Sequence, residues 1–272
     1  MRIIVTGGSS GVGRATASAM AAAGHEVMIA CRTPDKGYEA AETMAGDVEV
    51  RELDLADLAS VRKFADTVDS VDVLVNNAGV LGLPLTRTAY GFEAHIGTNH
   101  LGHFALTCLL GNRIRDRVVS VASINYTAAQ IHFDDLNWER RRYNPWAAYG
   151  ESKLANLLFV RELTARGVTA YASDPGMTNT SITQQGSSAL QWAGRVISPR
   201  IAQSPADGAR STIQAITTTL PSGTYLAPRG LMHQSGKPKP TTLKDKAIDP
   251  DSARRLWELS AELTGCQWQG ER

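Results

Sequence analysis

Cysteine is scarce in this 272-residue chain: three residues, Cys31, Cys108 and Cys266, an odd number, widely spaced and without a C-x-x-C pair. That excludes a disulfide-stapled scaffold and a cysteine-based zinc site, and it fits a reducing compartment. No run of eighteen apolar residues occurs, so no transmembrane helix is expected. Excess charge is missing as well. With 28 Lys+Arg against 27 Asp+Glu the net charge is +1, which gives no bulk attraction to nucleic acid or an anionic membrane. Low-complexity tracts, internal repeats and linker-like stretches are also absent. Because Met1 to Thr6 already reads as a strand, neither signal peptide nor membrane anchor is expected, and the protein is expected to be cytoplasmic.

What is present is a steady alternation of β-branched runs and Ala-rich helical stretches. Strands are predicted at Arg2 to Thr6, Glu26 to Cys31, Val48 to Leu53, Val71 to Asn76, Arg117 to Val121, Val168 to Ser173 and Gly223 to Leu226. Helices are predicted from the first glycines to Ala23, from Lys36 to Ala45, and from Leu58 to Thr67 with Asp57 as cap. Strand, crossover helix and parallel strand, repeated this often, imply an α/β fold: one Rossmann-type doubly wound parallel sheet of about seven strands with helices on both faces. The economical organisation is a single domain, 1–272, with a cofactor half over about 1–122 and a catalytic and substrate part over about 123–272. Three stretches lack rhythm, Asn125 to Ala147, Gly176 to Pro205 and Gly230 to Asp249, and are candidate substrate loops.

Thr6-Gly7-Gly8-Ser9-Ser10-Gly11-Val12-Gly13 follows the first strand and opens the first helix. Glycines let backbone approach a pyrophosphate, and the helix N-terminus favours its charge. A plain strand-to-helix turn is the bland alternative. At the end of the second strand, where a carboxylate would bond an adenosine 2′-OH, stand Ala30-Cys31-Arg32. Arg32 suits a 2′-phosphate instead, which favours NADP(H) over NAD(H). A solvated surface arginine is the alternative, and Arg14 is a further cation or merely exposed. Tyr149 and Lys153 lie one turn apart in Tyr149-Gly150-Glu151-Ser152-Lys153. A neighbouring ammonium favours a phenolate, so Lys153 is expected to pull Tyr149 below the usual value of about 10.

Further strings accompany these: Asp54-Leu55, Asn76-Asn77-Ala78-Gly79, Thr98-Asn99-His100-Leu101-Gly102-His103-Phe104, Val119-Ser120-Val121-Ala122-Ser123 and Pro175-Gly176-Met177-Thr178-Asn179-Thr180. In this order, and over essentially the whole chain, they resemble the short-chain dehydrogenase/reductase superfamily. The retinol dehydrogenase and protochlorophyllide reductase group looks most similar. The resemblance implies that Ser123 bonds the substrate oxygen, Tyr149 transfers the proton, and Lys153 lowers the tyrosine's pKa and bonds the nicotinamide ribose. It implies that Asn99 holds, through its helix backbone, a water leading from Lys153 to solvent. Gly7, Ser9, Ser10, Gly11, Val12, Arg32, Asp54, Leu55, Asn77, Ala78, Gly79, Tyr149, Lys153, Pro175, Gly176, Thr178 and Thr180 would hold the cofactor. An NADP(H)-dependent oxidoreductase for a lipophilic ketone or aldehyde and its alcohol follows. The rivals are a catalytically silent NADP(H)-binding sensor or scaffold and a sugar-nucleotide epimerase or dehydratase. A homodimer or homotetramer built through the helices bearing Asn99 and Tyr149 is expected from the same resemblance.

The chain departs from that pattern at Ala122, usually serine, and at Asp174, often histidine, where only local packing and loop behaviour are expected to change. The short Leu109 to Asp116 segment is expected to trim a helix. His100, His103 and His132 fit no metal-ligand spacing and are expected to be helix or loop histidines. Arg140-Arg141-Arg142, among Asp134, Asp135 and Glu139, is expected to be a self-neutralising face. Trp138, Tyr143 and Trp146 either wall the substrate or pack the insertion. Met177, Leu190 and Trp192 are candidates for a lid.

Overall fold

The computed structural model describes residues 1–178, 203–230 and 233–268. Its eight strands are β1 (Arg2–Thr6), β2 (Glu26–Cys31), β3 (Val48–Glu52), β4 (Val71–Asn76), β5 (Ile114–Val121), β6 (Ala170–Ser173), β7 (Tyr225–Pro228) and β8 (Pro238–Pro240). They form one sheet in the order β3-β2-β1-β4-β5-β6-β7-β8. All pairs are parallel except β7 with β8. The doubly wound parallel sheet is therefore as expected, with one extra antiparallel edge strand. Prolines at both ends of β8 made that stretch read as loop, and an edge is where a sheet tolerates them.

Period-two alternation fills a core on each face. Ile3, Val5, Val73 and Val75 pack with Ala17 and Met20 of α1 (Gly11–Ala22) and Ile216 of α7 (Pro205–Thr217). Ile4, Leu74 and Val118 pack on the other side. There they meet α3 (Leu58–Asp66), α5 (Gly102–Leu110), α6 (Pro145–Ala165) and α8 (Pro250–Thr264). Strands buried on both faces explain the unbroken β-branched runs. The predicted cap is present: Asp57 accepts from Ala59 N–H at 2.9 Å. The short α2 (Pro34–Ala41) and α4 (Ala94–Ile96) complete the helices among the described residues. As expected, α5 is short: it stops at Leu110, Gly111 turns at φ +43°, and β5 begins three residues before its predicted start.

The C-terminal helix α8 lies across α5 and α6. Trp257 meets Phe104 at 5.0 Å and stacks on Phe159 at 5.7 Å, with the Arg166 guanidinium 4.2 Å from its ring. His100 Nε2 bonds Ser260 Oγ at 2.9 Å, which makes this histidine a core group rather than a ligand. Among the described residues no cluster of metal-ligating side chains occurs, and no helix is long and apolar enough to cross a membrane. Burial pushes His100 down to about 3 and His103 to about 4. Both stay neutral when the unfolded chain, at about 6.5, takes up protons. Stability therefore falls as pH drops below about 6.5 towards 4. Thermal unfolding followed across that window should show a falling Tm, with a shallower fall in His100→Gln.

Candidate active site

In a sheet of this class the ligand crevice lies at the carboxyl ends of the strands where the order reverses, here between β1 and β4. The glycine turn follows β1 and Asn76-Asn77-Ala78-Gly79 follows β4, so the two flank that point. Gly7 and Gly11 hold φ of +66° and +55°, and Gly7 N–H bonds Ala30 O at 2.7 Å. A Cβ on Gly13 would stand 2.4 Å from Asn77 Nδ2 and 2.5 Å from Gly7 O. The turn is thus packed against the β4 loop. Asn77 Nδ2 bonds Thr6 O at 2.7 Å, and Thr6 Oγ1 accepts from Asn77 N–H and Ala78 N–H at 2.9 and 3.0 Å. The helix α1 carries no side-chain N-cap and no acidic residue in its first turn.

Of the other expected cofactor residues, Ser9 lies beside the buried Cys31 thiol, which burial pushes up, and Ser10 stands exposed before Gly11 and Val12 of α1. Arg32 is exposed at the end of β2 and takes part in none of the ion pairs found among the described residues. Arg14 reaches away, to Thr43 Oγ1 at 2.9 Å. Asp54 Oδ1 accepts from Ala56 N–H at 2.9 Å, whereas the Leu55 side chain is buried in the core. Thr178 Oγ1 bonds Pro175 O at 2.9 Å beside Gly176. Thr180, Leu190 and Trp192 lie outside the described residues.

Tyr149 sits on the second turn of α6, which Asn144 caps through Trp146 and Ala147 N–H groups. Its hydroxyl faces Ser123, close enough for the serine to favour the phenolate. Ser123 is extended and accepts from Asn125 N–H at 3.4 Å. One turn on, Lys153 is buried, its Nζ 5.6 Å from the centre of the Tyr149 ring and bonded to Val121 O at 2.9 Å. Burial pushes Lys153 down to about 8, against the nearby charge of Asp174. Tyr149 is pushed up, first by burial and also by Asp174, while Ser123 pulls the other way. The phenol thus lies above its usual value rather than below it as expected, because burial and the charge of Asp174 outweigh the pull of Ser123.

Asn99 lies in a π-turn, Gly97–Leu101, between α4 and α5. Its side chain clasps the β4 loop, accepting from Val80 N–H at 2.8 Å and donating to Val80 O at 3.1 Å and Ser152 Oγ at 2.9 Å. Its backbone oxygen, which the resemblance gives to a water, accepts from His103 Nδ1 at 3.0 Å. Neutral His103 then takes Thr6 Oγ1 at 2.8 Å on Nε2, so the tautomer follows from the network. Thr6 and His103 were missed as site residues; the i,i+4 spacing of Asn99 and His103 was the available signal.

Also missed was a buried unit beside Tyr149. The Glu93 carboxylate accepts from His95 Nδ1 at 2.6 Å, Tyr143 OH at 2.8 Å and Ile96 N–H at 2.9 Å. These bonds outweigh burial and hold Glu93 below the usual carboxylate range. The His95 ring meets the Tyr149 ring edge-on at 6.3 Å. Tyr143 therefore packs the insertion, as does buried Trp138 at 5.4 Å from it. Arg141 pairs with Asp135 at 2.9 Å, as expected, but also with the buried Glu151 of α6 at 3.3 Å, while Asp134 pairs with Arg255 instead; Arg141 thus braces the insertion rather than forming a solvated face. Trp146 stays 46% exposed, so it does not pack the insertion as Tyr143 and Trp138 do.

A sequence profile of the short chain dehydrogenase family matches residues 1–191. The chain belongs to that family. Retinol dehydrogenase 12 of Mus musculus is 40% identical over 98% of this chain and 87% of its own length. A protein of Streptomyces lividans described as a probable oxidoreductase is 38% identical over 96% of each chain. A crystal structure from Mycobacterium paratuberculosis superposes with a TM-score of 0.85 at 44% identity, covering 98% of this chain and 94% of that one. As a family member the protein is an oxidoreductase acting on alcohol and carbonyl groups.

Proposed function

We propose that the protein interconverts a lipophilic ketone or aldehyde and its alcohol with NADP(H). The observation that carries this reading is the Tyr149 hydroxyl facing Ser123, with Lys153 one turn away, on the side of the sheet that also carries a glycine-rich helix N-terminus without a side-chain cap. The residues present fit the dinucleotide. Backbone of Gly7 to Val12 and the α1 N-terminus suit the pyrophosphate, and the exposed Arg32, with no carboxylate at the end of β2, suits a 2′-phosphate. Asp54 and the Asn77 to Gly79 backbone would line the adenosine side, Lys153 the ribose, and Pro175 to Thr178 the carboxamide. When bound, the nicotinamide supplies or accepts the hydride.

The chain's own groups handle the oxygen and its proton. Ser123 and Tyr149 hydroxyls converge on the substrate oxygen. Tyr149 donates its proton in reduction and takes one back in oxidation. The raised tyrosine is in its donor state at neutral pH, which suits reduction. Leu85, Trp146 and Met177, each about half exposed, come from the β4 loop, the first turn of α6 and the loop after β6, and offer apolar surface on three segments that flank site residues in sequence. The name of the mouse relative, a retinol dehydrogenase, agrees with such a substrate.

The test is cofactor consumption with NADPH and NADH across lipophilic ketones, aldehydes and quinones. NADPH-selective turnover is expected; turnover with NADH alone would overturn the cofactor assignment. Arg32→Ala should raise the KM for NADPH about 10- to 100-fold, the loss of a charge-assisted contact, and leave that for NADH nearly unchanged. An equal effect on both would make Arg32 a surface residue. The packing of α8 across α5 and α6 argues against a homodimer or homotetramer built on those helices. Sedimentation at micromolar concentration should return the 29.2 kDa mass of one chain.

A further inference from the structure

Asp174 stands between β6 and the Pro175-Gly176 turn and is 1% exposed. A buried carboxylate persists only where donors surround it. Oδ1 accepts from Gly176 N–H at 2.8 Å. Oδ2 accepts from Ile124 N–H at 2.8 Å and Tyr225 OH at 2.7 Å, with His233 Nδ1 at 3.4 Å. Those partners lie on four segments: the loop next to Ser123, the turn after β6, strand β7 and the stretch after it. His233 adopts a φ of +56°, a conformation rare for a residue with a side chain, and this contact helps hold it there.

We propose that Asp174 is a positioning residue of this active site: its carboxylate locks the Ser123 loop to the Pro175-Gly176 loop and sets a fixed negative charge beside Lys153 and Tyr149. The proposal rests on the reading of that pair as the proton-transferring groups. Ile124 is the residue after Ser123, so its N–H on Oδ2 fixes the backbone that aims the serine. Gly176 sits on Oδ1 of the same carboxylate, so both loops are referred to one rigid point. The titratable groups around it are Tyr149 and Lys153 from α6, Tyr126 from the loop after β5, Tyr225 from β7 and His233 from the stretch beyond. The charge keeps Lys153 protonated against burial and opposes ionisation of Tyr149. A merely structural tie would do neither.

Lys153 can be followed directly by carbon-13 NMR of ε-labelled lysine in the full chain, with Lys153→Met for assignment. In the wild type it should titrate at about 8. Asp174→Asn should lower that midpoint by about half a unit to one unit, the effect of one lost neighbouring charge. It should also move the acid limb of alcohol oxidation to lower pH, because the Tyr149 base then forms more easily, while kcat falls as Ser123 loses its tie. Tyr225→Phe and His233→Leu remove donors but keep the charge, so they should lower kcat and leave the Lys153 midpoint in place. If Asp174→Asn fails to fold, Asp174→His, uncharged near pH 8, removes the same charge. An unmoved or raised Lys153 midpoint on loss of the carboxylate overturns the proposal, as does an equal shift in Tyr225→Phe. Failure of the wild type to turn over any substrate would overturn the oxidoreductase reading instead, and the Lys153 titration still decides the role of Asp174.

Discussion

Tyr149→Phe is expected to lower kcat/KM for carbonyl reduction by about 10³-fold or more, within or beyond the range of a single positioned acid. Its Tm should stay within about two degrees of the wild type. The hydroxyl, facing Ser123, is the proton donor. The ring stays, so the edge contact with His95 at 6.3 Å and the packing of α6 survive. Fluorescence titration with NADPH should give an unchanged Kd, separating lost chemistry from lost binding. Retained turnover in this variant would sink the assignment. Binding without turnover in the wild type would favour the silent sensor.

Trp257→Ala should cost about 3–5 kcal/mol, the range for removing a large buried aromatic. The indole touches three aromatic neighbours, Phe104 at 5.0 Å, Phe159 at 5.7 Å and Trp268 at 6.4 Å, and the Arg166 guanidinium at 4.2 Å. Phe104 belongs to α5 and Phe159 to α6, so the cavity would open between the helices that carry the Asn99 turn and Tyr149. At roughly 2–4 °C per kcal/mol for a chain of this size, Tm should fall by about 6–20 °C in a calorimetric scan. A fall under two degrees would mean that α8 is only loosely docked. Exposure of the α5 and α6 surface should also promote self-association in this variant, visible as a larger sedimenting species.

The first seven strands, the cofactor turn and the Tyr149–Lys153 spacing were legible in the sequence because each is a local matter. A strand buried on both faces must be apolar throughout, as Ile3 to Val5 and Val73 to Val75 are. A backbone that turns at positive φ needs glycine, as at Gly7 and Gly11. Two residues four apart on a helix share a face whatever surrounds them.

Tertiary structure alone decided the rest, since the deciding partners are distant in sequence. Asp174 reads as a lone acid until Ile124 and Tyr225, each about fifty residues away, bring it their donors. Whether Arg141 and Trp138 line a site or brace an insertion depends on Asp135, Glu151 and Tyr143. The direction of the Tyr149 shift was misread because an i,i+4 ammonium is visible in sequence, whereas burial and the charge of Asp174 are not. Local spacing and periodicity fixed which groups are present and on which face they lie. Burial and long-range contacts set their protonation and their partners, because desolvation and hydrogen bonding depend on the whole surroundings of an atom.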